Sequence, residues 1–271
     1  MTVPSIGLVS WRLPGLITET PSLAKRLGVE SLQVDYGGAD RSHELRAGGS
    51  TVATLKLEAA RANIPITTVA LNALNDIGIP SRVPELRKRR DQLLLRGLAA
   101  ASFLEAESVL IPAFRRSAIA SELELEETAV FLRKATALAY DRGLTVAHEN
   151  VLSPLSLRDL LAGVPSVNLT VLFDIGNLIE HSIDPVEYLR QAAARLHFEA
   201  HFKDLREPPA GSVPLGQGTA PLREILPQLL ATRRLQTVVI ETDHGDSSPV
   251  KIASDIEWLK NLLTEQNKGN K

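Results

Sequence analysis

Short apolar runs rich in β-branched residues recur along the chain, separated by longer segments with a helical spacing of apolar positions. Runs of this kind predict buried strands, whereas apolar positions repeated every three to four residues predict amphipathic helices. Eight runs fit the strand pattern: residues 5–11, 31–36, 64–72, 108–114, 144–150, 169–175, 196–204 and 237–243. The chain is therefore predicted to alternate strand and helix throughout.

The segments between these runs carry residues that favour helix ends. Ser121 and Glu124 form a capping-box pattern before an amphipathic stretch that closes at Gly143. Asp184 and Ser248 each precede a proline, which is the pattern of an N-cap residue followed by proline at the first helical position. These signals support helices between the strands.

Eight β-α units predict a parallel sheet closed into a barrel. We expect a single-domain (β/α)8 TIM barrel over residues 1–265, with a frayed C-terminal tail over residues 266–271. A doubly wound sheet is the competing architecture, but it usually has a Gly-rich phosphate loop after its first strand. The segment VSWRLPGLITET has no G-x-G-x-x-G pattern, which favours the barrel.

Composition narrows the range of partners. Of the 271 residues, 44% are hydrophobic, which predicts a folded chain with a sizeable core. The balance of 30 basic against 32 acidic residues creates no global field that would attract nucleic acid or an anionic membrane. Cysteine is absent, which excludes disulfides and thiolate nucleophiles. Because no basic leader precedes the first strand and no apolar run approaches the ~18 residues of a membrane helix, a cytoplasmic protein is expected.

Polar residues concentrate at the ends of the last four predicted strands. They are His148, Glu149 and Asn150; Asp174 and Asn177; His201, Lys203 and Asp204; and Glu241, Asp243 and His244. Barrel enzymes build their active sites at these carboxyl ends. Glu149, Asp174, His201 and Glu241 each follow an apolar run, and three carboxylates brought together need a cation. One divalent ion, Mn²⁺, Mg²⁺, Co²⁺ or Zn²⁺, is therefore predicted as the cofactor.

The motifs AHEN, FDIGN, HFKD followed by VPLGQGTAPL, and IETD resemble the xylose-isomerase-like barrel superfamily. The resemblance is to the sugar-phosphate isomerases/epimerases, with ketose 3-epimerases and inosose dehydratase as relatives, and it covers essentially the whole chain. It implies that Glu149, Asp174, His201 and Glu241 are metal ligands, and that Glu149 and Glu241 are also the acid/base pair. Because relatives commonly form dimers or tetramers, it also implies a homo-oligomer.

Two positions depart from the pattern of many relatives. Asn177 stands where a histidine often contacts substrate, and Glu199 stands where another histidine often precedes the metal ligand. Substrate identity is therefore left open. The predicted substrate-binding residues are Lys203, Arg206, Asn177, His148 and Asn72, with His244 as a further proton relay.

The predicted function is that of a metal-dependent isomerase or epimerase. Its substrate would be a sugar or another small α-hydroxycarbonyl compound, which reacts through an enediolate with the two glutamates as acid and base. A dehydratase of the inosose type on the same site and a non-catalytic metabolite-binding barrel are the alternatives. A multi-metal DNA-repair endonuclease shares the barrel but needs more ligands than a chain with 6 histidines supplies. Nucleic acid and membranes are not expected partners.

Overall fold

Eight parallel strands close into a barrel in a computed structural model that describes residues 3–37, 49–206, 211–243 and 248–269. The barrel strands are β1 (Ser5–Val9), β2 (Ser31–Asp35), β3 (Ile66–Ala70), β4 (Ser108–Pro112), β5 (Thr145–Glu149), β6 (Leu169–Asp174), β7 (Leu196–Phe202) and β10 (Thr237–Ile240). Strands that follow one another in this order pair in parallel, and β10 pairs with β1 to close the barrel. The predicted single-domain (β/α)8 TIM barrel is confirmed.

Helices connect the strands around the outside. They are α1 (Thr20–Leu27), α2 (Gly49–Ala62), α3 (Leu74–Ile77), α4 (Pro84–Leu104), α5 (Glu122–Tyr140), α6 (Pro154–Gly163), α7 (Ile175–Glu180), α8 (Pro185–Ala192), α9 (Leu222–Ala231) and α10 (Pro249–Gly269). The predicted caps form at α5, where the Ser121 hydroxyl accepts from the Glu124 N–H, and at α8, where Asp184 caps the first turn. None of the described helices is long and apolar enough to cross a membrane.

The final helix reaches into the tail predicted for residues 266–271. Helix α10 continues to Gly269, and residues 270–271 lie outside the described part. The turns that precede residue 266 are attached to the body of the protein. Leu262 and Leu263 are buried, and the Glu265 carboxylate pairs with Arg223 of α9 at 2.6 Å.

Two layers of side chains fill the barrel. Apolar residues contributed by consecutive strands form one cluster: Ala70, Leu110, Ala147 and Leu172. A buried polar layer surrounds Glu199 of β7, whose carboxylate accepts hydrogen bonds from Thr67 and Thr68 and lies 3.6 Å from His197 Nε2. Because every partner comes from the sheet itself, this layer fixes how the strands sit beneath the mouth of the barrel.

A short hairpin extends the chain after β7. Strands β8 (Asp204–Leu205) and β9 (Ser212–Val213) pair antiparallel, and the Asp204 carboxylate closes the loop that follows. The two carboxylate oxygens of Asp204 accept hydrogen bonds of 2.9–3.0 Å from the backbone N–H groups of Leu205, Gly216, Gly218 and Ala220. Gly218 is required here because a Cβ at this position would overlap the carboxylate. The HFKD and PLGQG motifs are therefore connected in the structure, because the Asp204 carboxylate of the first accepts backbone N–H groups of the second.

Candidate metal centre

The four predicted ligands meet at the carboxyl-terminal mouth of the barrel. Glu149 ends β5, Asp174 ends β6, His201 lies in β7, and Glu241 directly follows β10. One potential ligand atom from each lies within 4.8 Å of the others. All four side chains are buried, with residue exposures between 0% and 8%. Residues far apart in the chain thus form one compact group of three carboxylates and one imidazole.

The imidazole of His201 is oriented from below by Gln33. The Gln33 amide donates from Nε2 to Glu199 at 2.9 Å, so its Oε1 must accept, and it lies 2.9 Å from His201 Nε2. His201 therefore carries a proton on Nε2, and its Nδ1 is turned toward the carboxylates. Nδ1 lies 3.2 Å from Glu241 Oε2 and 3.7 Å from Asp174 Oδ2, without hydrogen-bond geometry to any described residue. A second ring contact, edge-on to Trp11, limits its rotation.

A lysine stands inside the cluster. Lys203 Nζ lies 3.0 Å from Asp174 Oδ2 and 3.3 Å from Glu241 Oε2, with the residue only 9% exposed. Its aliphatic stem passes over Gly176, where a Cβ would overlap three of the lysine carbons. Lys203 is thus one of the predicted substrate-binding residues that the structure brings to the cluster, and there it offsets carboxylate charge.

The two glutamates have different surroundings. Burial raises the pKa of Glu149 to about 8; the positive charges of His201 and Lys203 oppose this rise, and the negative charges of Glu241 and Asp174 add to it. Burial also raises the pKa of Glu241, but Lys203 and His201 more than offset it and hold that pKa well below its usual range. For His201, burial lowers the pKa, and the surrounding carboxylates more than reverse this and raise it to about 10.

Hydrogen bonds fix the carboxylates in place. The backbone N–H of Asn177 donates to Asp174 Oδ1 at 2.9 Å, which caps α7, and the Asn177 side chain donates to Glu149 Oε1 at 2.6 Å and Asp174 Oδ2 at 3.1 Å. On the other side of the cluster, Trp11 Nε1 donates to Glu241 Oε1 at 2.9 Å. Asn177, which was predicted to bind substrate, thus joins two of the predicted metal ligands.

The remaining predicted substrate-binding residues are scattered. His148 is not brought to the cluster, because successive residues of a strand point to opposite faces and its Nδ1 instead donates to the Ile111 carbonyl at 2.9 Å. Arg206 is exposed beside the hairpin, and Asn72 is half-buried just beyond β3. His244 lies outside the described residues.

The donor set fits a divalent cation. Three carboxylates and an imidazole nitrogen that releases its proton on metal binding suit Mg²⁺, Mn²⁺, Co²⁺ or Zn²⁺, and His201 Nδ1 is a buried nitrogen without a hydrogen bond among the described residues. The N–H of the second ring nitrogen donates to an amide oxygen, and a hydrogen bond from that nitrogen is the usual means by which a protein orients a metal-binding histidine. This buried cluster could hold a metal ion.

The residues missing from the predicted site include Gln33, Glu199, which supports Gln33, and Asn150. Gln33 is fully buried. The one signal in the sequence that could have marked it is a polar residue within an otherwise apolar strand. Its partners lie 166 and 168 residues away, so the strand pattern alone does not show what it contacts. Asn150 lines a cavity that Asn177 also lines, and the sequence shows it only as a polar residue at a strand end.

Comparison with known proteins assigns the chain to a family. Residues 21–262 match the family described as xylose isomerase-like TIM barrel. A 2-epi-5-epi-valiolone 7-phosphate 2-epimerase from Actinoplanes sp. is 30% identical over 268 residues, which cover 98% of this chain and 97% of the relative. A solved D-tagatose 3-epimerase-like protein aligns with a TM-score of 0.82 at 18% identity, over 98% of this chain and 100% of that one. The IolI protein with zinc bound aligns with a TM-score of 0.80 at 15% identity, over 97% and 99%.

These similarities agree with the motifs at the strand ends. The expected resemblance and the expected isomerase-type enzyme are both confirmed. The solved structures, at 15–18% identity, add support for the fold. The chain belongs to the xylose isomerase-like TIM barrel family.

Proposed function

We propose that this protein is a divalent-metal-dependent epimerase of a sugar-like α-hydroxycarbonyl compound. The observation that carries the proposal is the convergence of Glu149, Asp174, His201 and Glu241 within 4.8 Å at the barrel mouth, with His201 Nδ1 directed at the carboxylates. These four residues would hold the ion. The similarity to a 2-epi-5-epi-valiolone 7-phosphate 2-epimerase over nearly the whole chain favours epimerisation of a phosphorylated compound next to its carbonyl.

The cluster divides into a base and an acid. A bound divalent cation would supply positive charge that stabilises the enediolate left when the carbon next to the carbonyl loses its proton. Glu241 follows β10 and Glu149 ends β5, so one carboxyl group is placed to accept that proton and the other to return one. Two separate carboxyl groups allow the proton to leave and return on different faces of the carbon, which inverts it.

Exclusion of water helps the same chemistry. The four residues that would hold the ion are buried. Trp11 donates a hydrogen bond to Glu241, and Asn177 joins Glu149 to Asp174 by hydrogen bonds. Charged groups in such an enclosed site interact more strongly than in water, so carboxylates held in fixed positions contribute more to proton transfer. Hydrogen bonds from Trp11 and Asn177 also prevent either glutamate from rotating away from the substrate.

The experiment that tests the function combines metal analysis with proton exchange. Purified protein is stripped with a chelator, reloaded with Mn²⁺, and incubated in D₂O with 2-epi-5-epi-valiolone 7-phosphate and a panel of ketoses and ketose phosphates. We expect one ion per chain. NMR should show deuterium at the carbon next to the carbonyl and formation of the inverted product. Loss of water from the labelled compound would indicate a dehydratase. Metal binding without exchange on any compound would contradict the proposal.

Replacing Lys203 with methionine is expected to tighten Mn²⁺ binding. The ammonium lies 3.0 Å and 3.3 Å from oxygens of two ligands, so it competes with a bound cation for their charge. Removing one positive charge at this distance should increase the affinity about tenfold or more. Titration calorimetry with Mn²⁺ measures the change. Lys134→Met, which removes a lysine paired at 2.7 Å with Asp91 on the outer helices, is the matched control and should leave the affinity unchanged. Weaker binding by Lys203→Met would contradict the expected competition.

A further inference from the structure

A cavity of about 460 Å³ opens beside the cluster on the side of Glu149. It lies between the segment that follows β4 and the segments that follow β5 and β6. Its lining includes Phe114, Arg115, Asn150, Leu152, Asn177 and His181. Asn177 connects it to the centre, because its side-chain amide donates to Glu149 at 2.6 Å and to Asp174 at 3.1 Å. A substrate whose reacting carbon sits at the cluster can therefore extend into this space.

Asn150 is the buried polar residue of the cavity wall. It is only 4% exposed, and its Oδ1 accepts the backbone N–H of Leu152 at 3.1 Å and the hydroxyl of Tyr188 at 3.0 Å. A backbone N–H can only donate, so the amide oxygen must face Leu152 and the NH₂ group must face the other way. That Nδ2 is buried and has no hydrogen-bond partner among the described residues. Tyr188 is fully buried and also contacts the Asn150 carbonyl at 3.2 Å, so the amide is held rigidly.

A buried donor without an acceptor destabilises a fold and is uncommon in native proteins. No described residue supplies an acceptor, whereas a ligand in the cavity that Asn150 lines would supply one. We propose that Asn150 is a substrate-binding residue whose amide donates to a substrate hydroxyl remote from the reacting carbon, and that the cavity holds this hydroxylated part. The inference rests on the proposed function, since it places the substrate of that same site.

Charge favours a neutral hydroxyl over a phosphate at this position. Arg115 is the cationic side chain of the cavity, but its guanidinium is already paired with Asp76 at 2.8 Å and 3.1 Å. Glu180, which also lines the cavity, adds negative charge. A dianionic phosphate would thus meet no unbalanced positive charge among the described lining residues. The apolar side chains of Phe114 and Leu152 instead suit the carbon skeleton of a polyhydroxylated compound.

The inference is tested with Asn150→Asp, which keeps an oxygen toward Leu152 and Tyr188 but removes both donors. Calorimetry follows the binding of 2-epi-5-epi-valiolone 7-phosphate and of unphosphorylated 2-epi-5-epi-valiolone to Mn²⁺-loaded protein. We expect both ligands to bind about tenfold more weakly or worse, by the same factor, because the lost partner is a hydroxyl. Asn63→Asp, the same change at an exposed site on another part of the surface, should leave binding unaltered.

A second variant covers the case in which Asn150→Asp does not fold. Tyr188→Phe removes the hydroxyl that holds Oδ1, and it should weaken both ligands severalfold and raise KM while kcat stays close to that of the parent. Unchanged binding in the folded variants would overturn the inference, and weakening of the phosphorylated ligand alone would overturn the assignment to a hydroxyl. The proposed function fails separately, since then the parent protein itself gives no deuterium exchange.

Discussion

Glu241→Gln is expected to lower kcat/KM for epimerisation about a thousandfold, and Glu149→Gln to have an effect of similar size. Glutamine matches glutamate in shape, and it can still accept the hydrogen bond from Trp11 at position 241 or from Asn177 at position 149. It cannot take up or return a proton at neutral pH, and general acid–base catalysis contributes about 10²–10⁴ to enzymatic rates. The rate at which the inverted product forms, followed by NMR, measures the loss directly.

Measurement of the metal content distinguishes loss of the acid or base from loss of a metal ligand. Each glutamine also replaces a charged ligand, so Mn²⁺ binding should weaken, and the assay is repeated at Mn²⁺ concentrations that restore full occupancy. Activity should remain low at full occupancy, because the proton-transfer group is still missing. Glu105→Gln, an exposed change at the end of α4, is the control. If either glutamine variant regained the parental rate of epimerisation once saturated with metal, that residue would serve as a ligand and not as acid or base.

Asp204→Ala is expected to destabilise the fold by about 4 kcal/mol. The carboxylate is 1% exposed and accepts four backbone N–H groups of the hairpin and the loop after it. Each hydrogen bond to a charged group is worth about 1.5–3 kcal/mol, and part of this sum is regained when the loop relaxes into water. The free energy of unfolding, measured with urea on chelated protein, gives the change.

The control for this variant is Asp159→Ala. Asp159 is exposed and pairs with its neighbour Arg158, so its loss should change the free energy of unfolding by less than about 0.5 kcal/mol. Asp204→Asn should fall between the two, because one side-chain oxygen still accepts while the amide group opposes the remaining N–H donors. A free energy of unfolding for Asp204→Ala equal to that of the parent would show that the loop does not depend on the carboxylate.

The barrel and the convergence of the strand-end residues could both be predicted because they follow local rules. Strand runs and cap residues are properties of short segments, and parallel strands bring their carboxyl ends to one side. Glu149, Asp174, His201 and Glu241 come from neighbouring strands, and the closed barrel brings them together. Strand boundaries were placed too far along the chain, since several predicted runs included the polar residues of the loops that follow.

The supporting contacts could not be predicted. Gln33 joins His201 to Glu199 across the barrel interior, and a polar residue in a buried strand does not indicate its partner. His148 was grouped with Glu149 although adjacent strand residues face opposite ways, so strict use of strand alternation would have removed it. The position of Lys203 between Asp174 and Glu241 depends on the space over Gly176, which is a property of the packed structure.

The close approach of the Lys203 stem to Gly176 has an evolutionary consequence. The stem of Lys203 occupies the volume that any side chain at position 176 would need, so the glycine and the lysine form a steric pair although they are far apart in the chain. Homologues that keep the lysine should keep the glycine, and those that lose the lysine are free to acquire alanine or serine there. Covariation of these two alignment columns would record, in the history of the family, a constraint set by a single missing methyl group.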